Sequence, residues 1–86
     1  MTALLEDKII LVTGASSGIG REAAIMMANH GAKIIAAARR ESDLSETVNQ
    51  IESNGCRATY VVTDVTLPEQ IERAVQHAVS HFGGLD

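Results

Sequence analysis

Aromatic residues are almost missing from this 86-residue chain: Tyr60 and Phe82 stand alone, and there is no tryptophan. Bases have no platform to stack on, and 7 basic side chains face 11 acidic ones for a net charge of -4. Both features argue against nucleic acid as a partner. Cysteine is nearly absent too. A lone Cys56 makes no internal disulfide, which fits a reducing, cytoplasmic setting. No apolar run approaches the length of a membrane span, and the first eight residues lack the apolar stretch of a secretory leader. His77 and His81 lie four apart but without a third ligand or an intervening glutamate, so no metal site is expected. One proline and no low-complexity tract leave the composition of a soluble globular domain, 45% apolar and 21% charged. At this length the chain makes one domain at most, with a core that is marginal for independent stability.

What is present is an alternation of two hydrophobic periods. Lys8 to Val12 reads as a buried strand, and Gly18 to His30 as a helix with Ile19, Ala23, Met26 and Met27 on its apolar stripe and Gly31 as its C-terminal cap. Lys33 to Ala38 is a second strand, apolar throughout as a parallel strand covered on both faces should be. Ser42 to Ser53 follows as a helix, with Ser42 as N-cap, Leu44, Val48 and Ile51 on one face, and Asn54-Gly55 as the stop. Arg57 to Thr63 is a third strand. Thr66-Leu67-Pro68-Glu69 has the form of a capping box ahead of a last helix, with Ile71, Ala74, Val75, Ala78, Val79 and Phe82 on its stripe.

The predicted order is therefore β-α-β-α-β-α, an α/β chain with a parallel sheet and right-handed crossovers. Doubly wound, its strands would lie in the order 3-2-1. The first strand, apolar on both faces, would then stand at an open edge that a fourth strand should cover.

The richest segment is Thr13-Gly14-Ala15-Ser16-Ser17-Gly18-Ile19-Gly20, directly behind Ile9-Ile10-Leu11-Val12. A strand that runs through a glycine-rich turn into a helix aims backbone N–H groups and the positive end of a helix dipole at one spot, where a phosphate is stabilised. Gly14 permits the tight turn, Gly18 lets the backbone approach a pyrophosphate, and Gly20 allows close helix–strand packing. Ser16 and Ser17 offer hydroxyls, Ser17 also as a helix N-cap, and Ile19 its backbone N–H while its side chain packs. The spacing is not that of the general dinucleotide fingerprint, and no Gly-Lys-Ser/Thr follows, so a P-loop is excluded.

These residues resemble the short-chain dehydrogenases/reductases, whose N-terminal pattern is TGxxxGIG. Thr13 to Gly20 matches every fixed position, and the likeness runs through Ala36-Ala37-Ala38-Arg39-Arg40, Asp64-Val65 and Phe82-Gly83-Gly84-Leu85-Asp86. It implies that residues 1–86 are a partial NAD(P)-binding domain, the N-terminal half of a doubly wound Rossmann fold. Ala38 stands where NAD-preferring relatives carry Asp, and Arg39 follows it. A guanidinium there suits a 2′-phosphate, so NADP(H) is expected over NAD(H), with Arg39 and Arg40 as its partners. Glu41 and Asp43 are the alternative ribose partners, and a solvated pair flanking the helix is the plain alternative for the arginines. Asp64 and Val65 resemble the family's adenine contact; a turn or cap is the plain alternative for Asp64.

The resemblance further implies hydride transfer between nicotinamide and a small-molecule carbonyl or alcohol, in a protein that is a homo-oligomer when complete. The Ser, Tyr-x-x-x-Lys and Asn that perform it in the family have no match here; Tyr60 has Asp64, not lysine, four residues on. The 86 residues are thus expected to be a cofactor-binding fragment without turnover. The alternative is a stand-alone half-domain that binds a nucleotide or partner without chemistry.

Overall fold

The computed structural model describes residues 5–16 and 18–86. The elements are β1 (Ile9–Thr13), α1 (Gly18–Asn29), β2 (Lys33–Ala38), α2 (Glu41–Ser53), β3 (Ala58–Val62) and α3 (Pro68–Phe82). The expected alternation is present, with strand ends shifted by a residue. All strand pairs are parallel, in the order β1-β2-β3, so β1 is an edge as expected.

Side chains of successive strand residues point to opposite faces, and the two faces are covered differently. Ile34, Ala36 and Ala38 of β2 join Ala24 and Ala28 of α1 and Leu44, Val48 and Ile51 of α2 in one large core. Ile35 points the other way, into a smaller cluster with Ile9 and Ala78 of α3, bordered by Leu11, Val61 and Phe82. Thus α1 and α2 share one face and α3 takes the other. Crossovers of one hand that switch face also switch direction along the sheet, so α3 carries the chain back toward β1. There Asp86 N–H donates to the Ile9 carbonyl (2.8 Å), and Ile9 N–H donates to Asp86 Oδ2 (2.8 Å).

Several local expectations fail for physical reasons. In α1 the buried residues are Ala24 and Ala28, while Ile19 is 90% and Met26 62% exposed. The helix lies close to the sheet on its small residues; of the expected stripe Met27 packs against the core, while Ile19 and Met26 turn away from it. In α3 the expected stripe holds at Ala74, Ala78 and Phe82, but Ile71 and Val79 are exposed. Ser42 is not an N-cap: α2 begins at Glu41, with extended Arg40 in the cap position and no side-chain cap bond. The Thr66 capping box does not form either. Leu67 occupies the cap position of α3, Pro68 opens the helix, and the Thr66 hydroxyl turns back to Asp64 Oδ1 (2.6 Å). The glycine stops do hold, with Gly31, Gly55 and Gly83 all in the left-handed region.

Candidate cofactor-binding site

The strand register decides where the site lies. Thr13 pairs with Ala37 and Val62 with Ala38, so the C-terminal ends of all three strands are level. The segments that leave them, at Gly14, Arg39 and Thr63, therefore emerge side by side. Together they line a cleft of about 440 Å³ formed by Gly14, Ser16, Ala38, Arg39, Arg40, Asp43, Thr63 and Val65. In open parallel sheets, ligands bind in the crevice beyond these strand ends.

The first wall is backbone. Gly14 (φ 67°) and Gly18 (φ 58°) adopt left-handed conformations, and a Cβ on either would meet nothing within 4 Å. At these two points the main chain is bare toward open space, Gly14 in this cleft and Gly18 in a neighbouring one that Ile19 also lines. Gly20 is different. A Cβ there would overlap the Gly14 carbonyl oxygen and stand 2.7 Å from its carbon, so only glycine lets α1 start this close to the turn. Ala15 is fully buried beneath the turn, and its N–H reaches the Ala37 carbonyl at 3.4 Å. The Ile19 side chain, expected to pack, projects into solvent instead. Ser17 lies outside the described residues.

The second wall is charged. Arg39 and Arg40 are exposed at the end of β2, and Arg40 Nη1 is 4.0 Å from Asp43 Oδ2, an ion pair open to water. Ala38 beside them is buried. The carboxylates these guanidiniums meet are Asp43 and, through the Arg39 charge, Asp64. Glu41, an alternative ribose partner, accepts instead from the Tyr60 hydroxyl (3.1 Å), which raises the tyrosine pKa above its ordinary 10.0.

The third wall carries Val65, half exposed. Asp64 beside it closes a turn of its own: Oδ1 accepts from the Thr66 hydroxyl and from Thr66 N–H (2.9 Å). These bonds, and behind them the Arg39 charge, hold its carboxyl below its ordinary 3.8 despite slight desolvation. Asp64 N–H donates to Gln70 Oε1 (2.7 Å). The turn role is therefore filled, with Oδ2 left over.

Two residues that sequence reasoning passed over complete the site. The Arg21 guanidinium folds back across the turn; Nη2 donates to the Ser16 carbonyl and to the Asp43 carbonyl (3.0 Å), and Nε to Thr47 Oγ1 (2.8 Å). Thr47 is fully buried, and its hydroxyl lies 2.8 Å from the Ala15 carbonyl and 3.1 Å from that of Asp43. Glu46 stands 3.8 Å from Arg21 Nη1. Most of these partners are backbone carbonyls, which carry no signature in a sequence.

The family model for the short chain dehydrogenases matches residues 8–86. The chain belongs to that family. Among its relatives is an A-factor type gamma-butyrolactone 1′-reductase (1S-forming) of Streptomyces virginiae, 48% identical over 83 residues, which are 96% of this chain and 32% of the relative. A hydroxysteroid dehydrogenase from Escherichia coli superposes with a TM-score of 0.94 at 28% identity, covering 98% of this chain and 34% of the other. A short chain dehydrogenase from Mycobacterium smegmatis gives a TM-score of 0.92 at 35% identity, again with 98% of this chain and 36% of the other. The chain thus spans about a third of the length of the relatives it matches. Family membership establishes an oxidoreductase lineage that binds nicotinamide dinucleotides, on a Rossmann-type sheet. Among the described residues no helix is long and apolar enough to cross a membrane, and no cluster of three metal-ligating side chains occurs.

Proposed function

We propose that these residues form the dinucleotide-binding part of an NADP(H)-dependent oxidoreductase that moves hydride between nicotinamide and a carbonyl or alcohol substrate. The observation that carries this reading is Ala38-Arg39 at the mouth of the cleft, level with Gly14. An NAD-selecting carboxylate is missing from the strand end, and an exposed guanidinium takes its place. The bare main chain at Gly14 and Gly18 fits a diphosphate, since a side chain at either point would project into the space the ligand needs.

In this reading the N–H groups of Ser16, Ser17, Gly18, Ile19 and Gly20, with the N-terminal dipole of α1, hold the diphosphate. Arg39 and Arg40 hold the 2′-phosphate by charge-assisted hydrogen bonds. Val65 flanks the adenine, and Asp64, through its free oxygen, accepts from the exocyclic amine. The nicotinamide, when bound, supplies or accepts the hydride. Proton transfer at the substrate oxygen requires the family's serine, tyrosine–lysine pair and asparagine, and none of the 86 residues takes those roles. The chain alone is accordingly a cofactor-binding fragment without turnover, in a cytoplasmic, homo-oligomeric parent protein. A named reductase and a named dehydrogenase among the relatives agree with carbonyl–alcohol chemistry in general.

Calorimetric titration of the chain with NADPH and NADH tests the assignment. Tighter binding of NADPH is expected; tighter binding of NADH would overturn the cofactor preference.

A further inference from the structure

The turn that would hold the diphosphate meets β2 through one long backbone bond, from Ala15 N–H to the Ala37 carbonyl (3.4 Å). Gly14 and Gly18, both left-handed, bracket Ala15 to Ser17, and glycine is the residue that most freely leaves such a conformation. The wall that would read the 2′-phosphate belongs to a different part of the chain, the end of β2 and the first turn of α2. A dinucleotide has to touch both at once. Their separation must be set by something other than the turn itself.

Arg21 spans that gap. Its guanidinium bonds the Ser16 carbonyl on the turn and, from α2, the Asp43 carbonyl and the Thr47 hydroxyl. Thr47 in turn lies against the Ala15 carbonyl, so turn and helix are joined at two successive peptide groups. Arg21 is only 20% exposed, and Thr47 is wholly buried and out of reach of any ligand. We infer that Arg21, seated on Thr47, is a positioning residue that locks the glycine turn to the start of α2, so that one dinucleotide engages both walls of the cleft. This rests on the dinucleotide reading above.

A planar fork with three N–H groups committed to three acceptors is not reproduced by lysine, whose ammonium is a single point. Locking also differs from contacting. If Arg21 presets a distance, its loss weakens ligands that bridge the two walls and spares those that sit on one.

The test compares NADPH, which reaches both the glycine turn and the arginine wall, with adenosine 2′-phosphate, which reaches the arginine wall and the Val65 wall but not the turn. Both are titrated by NMR into the wild-type chain and into Arg21→Ala, Thr47→Val and Thr47→Ser. Arg21→Ala and Thr47→Val should each weaken NADPH about tenfold or more, while adenosine 2′-phosphate changes by less than about twofold. Thr47→Ser, which keeps the hydroxyl, should bind NADPH like wild type. Should Arg21→Ala fail to fold, Thr47→Val, nearly the same in shape, carries the test. Variants that hold NADPH as tightly as wild type, or lose both ligands in proportion, overturn the inference and leave the dinucleotide reading standing. A wild-type chain that takes up neither ligand overturns that reading and the inference with it.

Discussion

The two principal walls of the cleft are made in opposite ways. The glycine turn offers main chain, closely fitted: Gly20 tolerates no Cβ, Ala15 is buried beneath it, and Arg21 and Thr47 tie it to α2. The arginine wall offers long side chains in water, with one loose ion pair between Arg40 and Asp43. A backbone site can be rigid because its donors are held by the fold, whereas exposed guanidiniums must be ordered when a ligand arrives. The division suggests that the turn supplies affinity common to all such dinucleotides and the arginines supply the choice among them. It also separates substitutions that damage the fold from those that alter only what is bound.

The largest effect is expected at Gly20. Gly20→Ala puts a methyl group into the Gly14 carbonyl and should cost about 3 kcal/mol of stability, read in a denaturant melt. A melt unchanged within error would show that α1 does not sit this close to the turn. Next comes Arg39→Ala, which should weaken NADPH about tenfold or more, the range for a lost charge-assisted bond, and leave NADH within about twofold. Equal losses for both would mean that Arg39 does not read the phosphate. Gly14→Ala, strained but unobstructed, should cost about 1–2 kcal/mol, less than Gly20→Ala. The reverse order would contradict the distinction between strain and collision at these two glycines.

The smallest effect concerns Asp64. Its carboxyl titrates below the ordinary 3.8 in the folded chain, so what it adds to stability is complete above 3.8 and fades as the pH falls through the lowered value. Asp64→Asn should flatten that part of the acid melt slightly. An identical acid melt would mean the Thr66 bonds contribute nothing.

The elements that sequence reasoning placed well are those set by strong, local signals. β2 was readable because five successive apolar residues, Ile34 to Ala38, suit a strand covered on both faces, and the helix stops were readable because glycine is nearly obligatory at a left-handed cap. Hydropathy misled where small residues matter. Ile19 and Met26 outrank Ala24 and Ala28 on any apolar scale, yet the alanines face the sheet because close packing favours the smaller side chain. Ser42 and Thr66 have the right chemistry for caps but stand two residues after and one residue before the cap positions of the helices that form. Arg21 and Thr47 were invisible, since their partners come from a turn that sequence distance does not bring near α2. Gly14 and Ser16 of the turn do meet Arg39, Arg40 and Val65 in one cleft, because the parallel register makes three strand ends level, whereas Gly18 and Ile19 line a neighbouring one.

The central claim is that the amides of the first turn are oriented to hold a diphosphate. The most direct measurement is a ¹H–¹⁵N titration of the chain with NADPH. It should move the amide signals of Gly14, Gly18, Ile19 and Gly20 most, together and to saturation, with smaller shifts at Arg39 and Val65. Saturable shifts confined to other parts of the chain, with these amides unmoved, would contradict the account.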